Sequence, residues 1–229
     1  MGVAVLHAAT RTFRWWTTRA KDTVCDAIHA VDTYAIVPQG ALENSREDQA
    51  KAGRYDYDPT PWRALPRVLR RAALPVAGSI FVDFGCGKGR ILLSALAQPF
   101  ARVIGVEFSP YLCRIARNNL CSARLLRRRN ADAQVVCTDA VDFPIPEGPL
   151  LLYFSNPFNE EIMERVLDNI VGSYLCSPRP IYLVFYGMSS QKPFISRFLA
   201  DRSAGKARER LSMLAGKRTV YVFELAATS

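Results

Sequence analysis

The stretch D-F-G-C-G-K-G at 83–89 places a carboxylate, Asp83, ahead of three alternating glycines, Gly85, Gly87 and Gly89. Glycines spaced this way let a backbone approach a ligand that any side chain would hold off. Two nucleotide-binding patterns share the outline, and both fail. A P-loop wants G-x-x-x-x-G-K-[ST], but the second glycine of that pattern falls on Arg90. A dinucleotide fingerprint wants G-x-G-x-x-G, and its last glycine falls on Arg90 as well. Asp83 points the same way, because a pyrophosphate beside it would face like charge, whereas a cation would be welcome. Two further carboxylates, Glu107 and Asp139, also close apolar runs. Glu107 suits the paired hydroxyls of a ribose. Asp139 can accept from the amino group of an adenine. The set asks for a nucleoside with a cationic tail and no phosphate. S-adenosylmethionine, with its sulfonium and α-ammonium, has that make-up.

These residues need a scaffold that brings them to one level. From residue 79 onward, short continuous apolar runs alternate with segments of helical spacing. SIFVDFG, ARVIGVEF (101–108), AQVVCTDA (133–140), PLLLYFSNPF (149–158) and PIYLVFYG (180–187) read as strands. RILLSALAQ, SPYLCRIARNNL (109–120), NEEIMERVLDNIVGSYL (159–175) and a segment near 190–200 read as helices, the second opened by a Ser-Pro cap pair. Continuous apolar strands between helices imply a parallel sheet covered on both faces. ARERLSML and RTVYVFEL flank the turn A-G-K and predict a closing hairpin. The expected fold is α/β: a Rossmann-like, doubly wound, mostly parallel sheet with a C-terminal antiparallel hairpin. Asp83, Glu107 and Asp139 then all stand at carboxyl ends of strands, where open α/β sheets bind ligands. Residues 1–78 form a helical or irregular extension, and 79–229 the ligand-binding domain. Within the extension, 41–61 reads as a connecting loop and WRALPRVLRRA (62–72) as a basic amphipathic helix.

D-F-G-C-G-K-G, V-I-G-V-E, T-D-A and N-P-F, in that order, resemble the motif set of class I S-adenosylmethionine-dependent methyltransferases. The resemblance covers about 79–225 and is nearest to small bacterial members of largely unassigned substrate. It implies S-adenosylmethionine as cofactor. The cofactor residues it implies are Asp83, Phe84, Gly85, Gly87, Gly89, Glu107, Phe108, Asp139, Ala140 and Asn156. S-N-P-F at 155–158 also resembles the [DNS]-P-P-[YF] signature of nitrogen methyltransferases, with one proline where that signature has two. It implies catalytic roles for Asn156, Pro157 and Phe158. Asn156 can accept from a substrate N–H, and Phe158 can stack on a planar acceptor or face the sulfonium. The alternative is an ordinary Asn-Pro turn that starts a helix. Tyr186, at the end of the fifth strand, is either a lining group or packing.

G-R-Y-D-Y-D-P-T-P-W (53–62) interleaves Tyr55 and Tyr57 with acids between prolines. It is expected to be either a strap to the core or a lid over the site, near Gly85 and Asn156. The net charge of +9 gathers at 63–71 and 123–130, which are either solvated faces or a surface for an acidic partner such as RNA. No apolar run reaches the roughly 20 residues that cross a bilayer, and no secretory or lipidation signal is evident. The six cysteines include no C-x-x-C pair and there are two histidines, so no metal site is expected. The cysteines read as buried thiols of a cytoplasmic protein. The leading function is N-methylation of a protein side chain such as lysine. The alternatives are an RNA base N-methyltransferase, a small-molecule methyltransferase and a non-catalytic cofactor-binding module.

Overall fold

A computed structural model describes residues 22–34, 57–123, 132–215 and 218–226. Residues 22–29 form α1, followed by α2 (Ala64–Arg71), β1 (Ile80–Phe84), α3 (Arg90–Leu96), β2 (Arg102–Glu107) and α4 (Pro110–Ser122). Then come β3 (Asp132–Cys137), β4 (Leu150–Phe154), α5 (Glu160–Cys176), β5 (Ile181–Tyr186), α6 (Lys192–Arg202), β6 (Ala207–Ala215) and β7 (Arg218–Leu225). The seven strands make one sheet in the order β3-β2-β1-β4-β5-β7-β6. The first five are parallel neighbours, and β7 is antiparallel to both β5 and β6. The strand order reverses direction at β1 and β4, which is where such sheets open a crevice for ligands.

Side-chain alternation splits the core in two. Phe81, Leu151, Tyr153 and Val184 face one side with α2, α3 and α4. Val82, Phe84, Leu152, Phe154 and Phe185 face the other with α5 and α6. On this second side an aromatic row crosses the carboxyl end of the sheet. Phe84 stacks on Phe154 at 4.9 Å, Phe154 on Phe185 at 5.0 Å, and Phe185 on Tyr221 at 5.5 Å. These residues are direct cross-strand partners, so one rigid row fixes the ends of four strands relative to one another. Helix starts are set locally. Ser109 caps α4 by accepting from Leu112 N, with Pro110 next to it, and Asn159 caps α5 by accepting from Ile162 N.

Two expectations need correction. The third strand ends at Cys137 and not at Asp139, because its ladder partner β2 stops at Glu107, opposite Cys137. The fourth ends at Phe154, paired with the last residue of β1, and Asn156 lies on the turn expected after it. The cysteines are not uniformly buried. Cys86 and Cys113 are, but Cys121, Cys137 and Cys176 are exposed, at helix ends and on the edge strand β3.

Candidate active site

The turn after β1 folds back on β2, with Gly85 N and Cys86 N both donating to Val106 O at 2.9 and 3.1 Å. Gly87 has φ +56, and an added Cβ there would lie 2.2 Å from Tyr57 Cδ2. At Gly85, with φ +73, the added Cβ would lie 2.6 Å from Pro157 Cβ. The glycines are therefore needed for two protein contacts as well as for ligand approach. One brings the N-P-F loop onto the turn, and the other brings the extension onto it. Gly89 is the left-handed residue from which α3 starts.

Asp83 is almost wholly buried in β1, and Glu107 closes the neighbouring strand. Glu107 accepts from Gly87 N through Oε2 and from Ser109 N through Oε1, each at 2.9 Å, so it braces the turn. Burial first, and then the nearby Glu107 charge, push the Asp83 carboxyl well above the usual range. Two carboxylates held together out of water fit a cationic ligand, since a cation reverses both penalties. Asp139 accepts from Val141 N at 3.3 Å and is half-buried beyond β3, beside buried Ala140. Phe108 is half-buried just past β2. Phe84 is wholly buried in the aromatic row, so only its backbone can meet a ligand.

On the β4 loop, Asn156 is half-buried with φ +50, a conformation that asparagine tolerates better than most residues. Pro157 packs on Gly85. The Phe158 ring is buried edge-on against Phe154 at 6.4 Å, within the core on that side of the sheet. Gln191 Nε2 fixes the loop by donating to Phe158 O at 3.0 Å. Tyr186 is buried, its ring parallel to that of Tyr153 at 6.4 Å.

Tyr57 lies on the glycine turn, and its hydroxyl donates to Thr33 O at 2.9 Å. Three residues on, Thr60 Oγ1 meets Ser155 Oγ at 2.6 Å, at the mouth of the N-P-F loop. Asp58 pairs with Arg218 of β7. Residues 57–60 thus cross the carboxyl ends of β1 and β4. Tyr55 and the arginines at 127–129 lie outside the described residues.

Sequence reasoning missed what holds this strap down. Arg90, the residue that broke both glycine patterns, is 2% exposed. Its Nε donates to Thr33 Oγ1 at 2.7 Å, Nη2 to Thr33 O at 3.0 Å, and Nη1 to Asp22 Oδ2 at 3.0 Å and Thr60 O at 3.4 Å. Asp26 lies 3.6 Å from Nη2, and the Trp62 ring faces the guanidinium at 5.8 Å. Lys88 pairs with Asp32 at 2.9 Å, and Asn119 Nδ2 donates to both Asp32 O and Lys88 O at 2.9 Å. The one available signal was an arginine opening a helix, where the macrodipole disfavours a cation and compensating acids are required.

Residues 81–172 match the family profile described as a methyltransferase domain. That stretch holds the glycine turn, Glu107, Asp139 and the N-P-F loop, on a fold whose topology agrees with solved methyltransferases. Residues 81–172 form a methyltransferase domain. Among solved structures, magnesium protoporphyrin IX methyltransferase from Synechocystis PCC 6803, with bound S-adenosylmethionine, is similar with a TM-score of 0.53 and 14% identity. The match covers 72% of this chain and 79% of that one. Precorrin 8w decarboxylase from Methanobacterium thermoautotrophicum gives a TM-score of 0.52 at 16% identity, over 75% and 93% of the two chains. Such likenesses concern the fold alone.

Curated relatives named ribosomal protein L11 methyltransferase match over shorter stretches. The one from Aeromonas hydrophila is 44% identical over 46 residues, 20% of this chain and 16% of the relative. The one from Alteromonas mediterranea is 37% identical over 82 residues, 34% and 28% of the two. The chain thus matches less than a third of the length of either relative. Among the described residues no helix is long and apolar enough to cross a membrane, and no group of His, Cys, Asp or Glu could hold a metal ion.

Proposed function

We propose that this methyltransferase transfers a methyl group to nitrogen, with a protein side chain such as lysine as the acceptor. The observation that carries the reading is the Asn156-Pro157-Phe158 loop pressed on Gly85, which joins the acceptor end to the cofactor turn. When bound, S-adenosylmethionine supplies a methyl carbon already activated by its sulfonium. The chain's task is then positioning and exclusion of water. Asn156 accepts N–H hydrogen bonds from the acceptor through its side chain and backbone carbonyl, turning the nitrogen lone pair toward the methyl. Asp83 neutralises the cationic tail, Glu107 and Asp139 take the ribose and adenine, and Gly85, Gly87 and Gly89 give the backbone access. Phe84, Phe108 and Ala140 line the site by backbone or partly buried surface, and Pro157 and Phe158 hold the loop's shape. The extension, 1–78, acts as a strap on the catalytic domain, 79–229, with Tyr57 shielding the turn.

The partial likeness to proteins named for methylating ribosomal protein L11 favours a protein acceptor. An RNA base is the second reading. Arg63, Arg67, Arg70 and Arg71 are all exposed on or beside α2, a basic face that suits phosphates. Incubation of the protein with methyl-labelled S-adenosylmethionine and cell lysate tests both. Label in protein, on lysine after hydrolysis, is the expected result. Label in RNA moves the assignment to the second reading, and label only in small molecules removes both.

A further inference from the structure

We propose that the Tyr153 hydroxyl is a binding contact for the α-ammonium at the amino-acid end of the cofactor, which it shares with the Asp83 carboxylate. Tyr153 is wholly buried; the Thr60 side chain lies beside its hydroxyl, but among the described residues no group meets that hydroxyl in full hydrogen-bond geometry. An unpaired buried hydroxyl costs stability that phenylalanine at the same place would not. The group's position says what it serves. Tyr153 is the direct cross-strand partner of Asp83, and such partners project to the same face of a sheet. That face carries α3 and the glycine turn. After burial, the Asp83 charge is the next cause that pushes the Tyr153 phenol up, so the two groups are in electrostatic reach.

The hydroxyl cannot swing elsewhere. Its ring is set between Phe81 at 6.2 Å and Tyr186 at 6.4 Å. Thr60, held by Ser155 in the strap, flanks it. An ammonium has three N–H donors and no acceptor. A carboxylate can take one donor and the phenol oxygen a second, so the cation satisfies both groups at once.

The inference rests on S-adenosylmethionine as the cofactor. Titration calorimetry of the unaltered protein with S-adenosylhomocysteine tests that premise, and Tyr153→Phe tests the inference. In the variant, affinity for S-adenosylhomocysteine should fall about 10-fold, on the scale of a hydrogen bond to a charged group. Affinity for 5′-methylthioadenosine, which keeps the nucleoside and thioether but lacks the amino-acid end, should not change. The melting temperature of the ligand-free variant should equal or exceed that of the parent. Unchanged affinity for S-adenosylhomocysteine would overturn the proposal, as would an equal loss for both ligands. A lower melting temperature, or failure to fold, would also overturn it, since the hydroxyl would then have a structural partner. If the unaltered protein binds neither ligand, the premise itself fails.

Discussion

The contact between Tyr57 and Gly87 can be measured as a coupling. In Gly87→Ala, an alanine must hold φ +56, which costs about 1 kcal/mol. Its Cβ would lie 2.2 and 2.3 Å from Tyr57 Cδ2 and Cε2. Carbon contacts settle at about 3.5–4 Å, so the ring must retreat by about 1.5 Å. That retreat removes the 2.9 Å hydrogen bond to Thr33 O, worth about 1 kcal/mol, and about as much again in packing. The single substitution should therefore cost about 3 kcal/mol and lower the melting temperature by about 6–12 °C. In a Tyr57→Ala background only the backbone cost of about 1 kcal/mol remains. Thr33 O keeps a partner there, since Arg90 Nη2 also donates to it. Urea denaturation of the four proteins in the cycle should give a coupling of about 2 kcal/mol. Costs that add to within about 0.5 kcal/mol would refute the placement of Tyr57 on the turn, and with it the strap.

Asp83 should make cofactor binding release a proton. Its carboxyl is pushed up by burial and Glu107, and a cation favours the ionised form, so affinity for S-adenosylhomocysteine should climb with pH until the raised pKa is passed. Calorimetry in two buffers of different ionisation heat should detect the proton, and should lose it in Asp83→Asn; equal release in both would reject the assignment. The same raised pKa stabilises the ligand-free fold below the unfolded value of about 3.9, and that contribution is lost as pH rises through the folded one. The melting temperature of the ligand-free protein should accordingly decline over that window more than that of Asp83→Asn. Asn156→Ala should lower kcat by about 100-fold with cofactor affinity nearly unchanged, and Asn156→Gly, which relieves the left-handed backbone, should do the same. Full turnover in the glycine variant would reduce the loop to a turn. Arg90→Met leaves Asp22 and Asp26 without their cation and should cost about 3 kcal/mol or more in urea denaturation, with earlier proteolysis of 22–34. A cost under about 1 kcal/mol would mean that the extension is held by other contacts.

By itself the sequence determined the alternation of strands and helices, the terminal hairpin and the cofactor motifs. These are local signals: apolar runs of strand length, caps such as Ser109 and Asn159, and glycines whose left-handed backbone other residues adopt only at a cost. It also placed Asp83 and Glu107 at strand ends, because a strand and the turn that follows it are contiguous in the chain. Strand ends were less legible. β3 stops where β2 gives out, short of Asp139, and ladder partners are not neighbours in sequence. Tertiary structure alone decided which way rings turn. Phe158 falls into the aromatic row because Phe154 waits there, while Tyr153 shares a face with Asp83 through strand register. It also decided the role of Arg90. The sequence showed only a missing glycine, whereas the fold brings Asp22, Asp26, Thr33, Thr60 and Trp62 around one buried guanidinium. Charges far apart in the chain are drawn together there, because a cation taken out of water must find its partners wherever the fold can bring them.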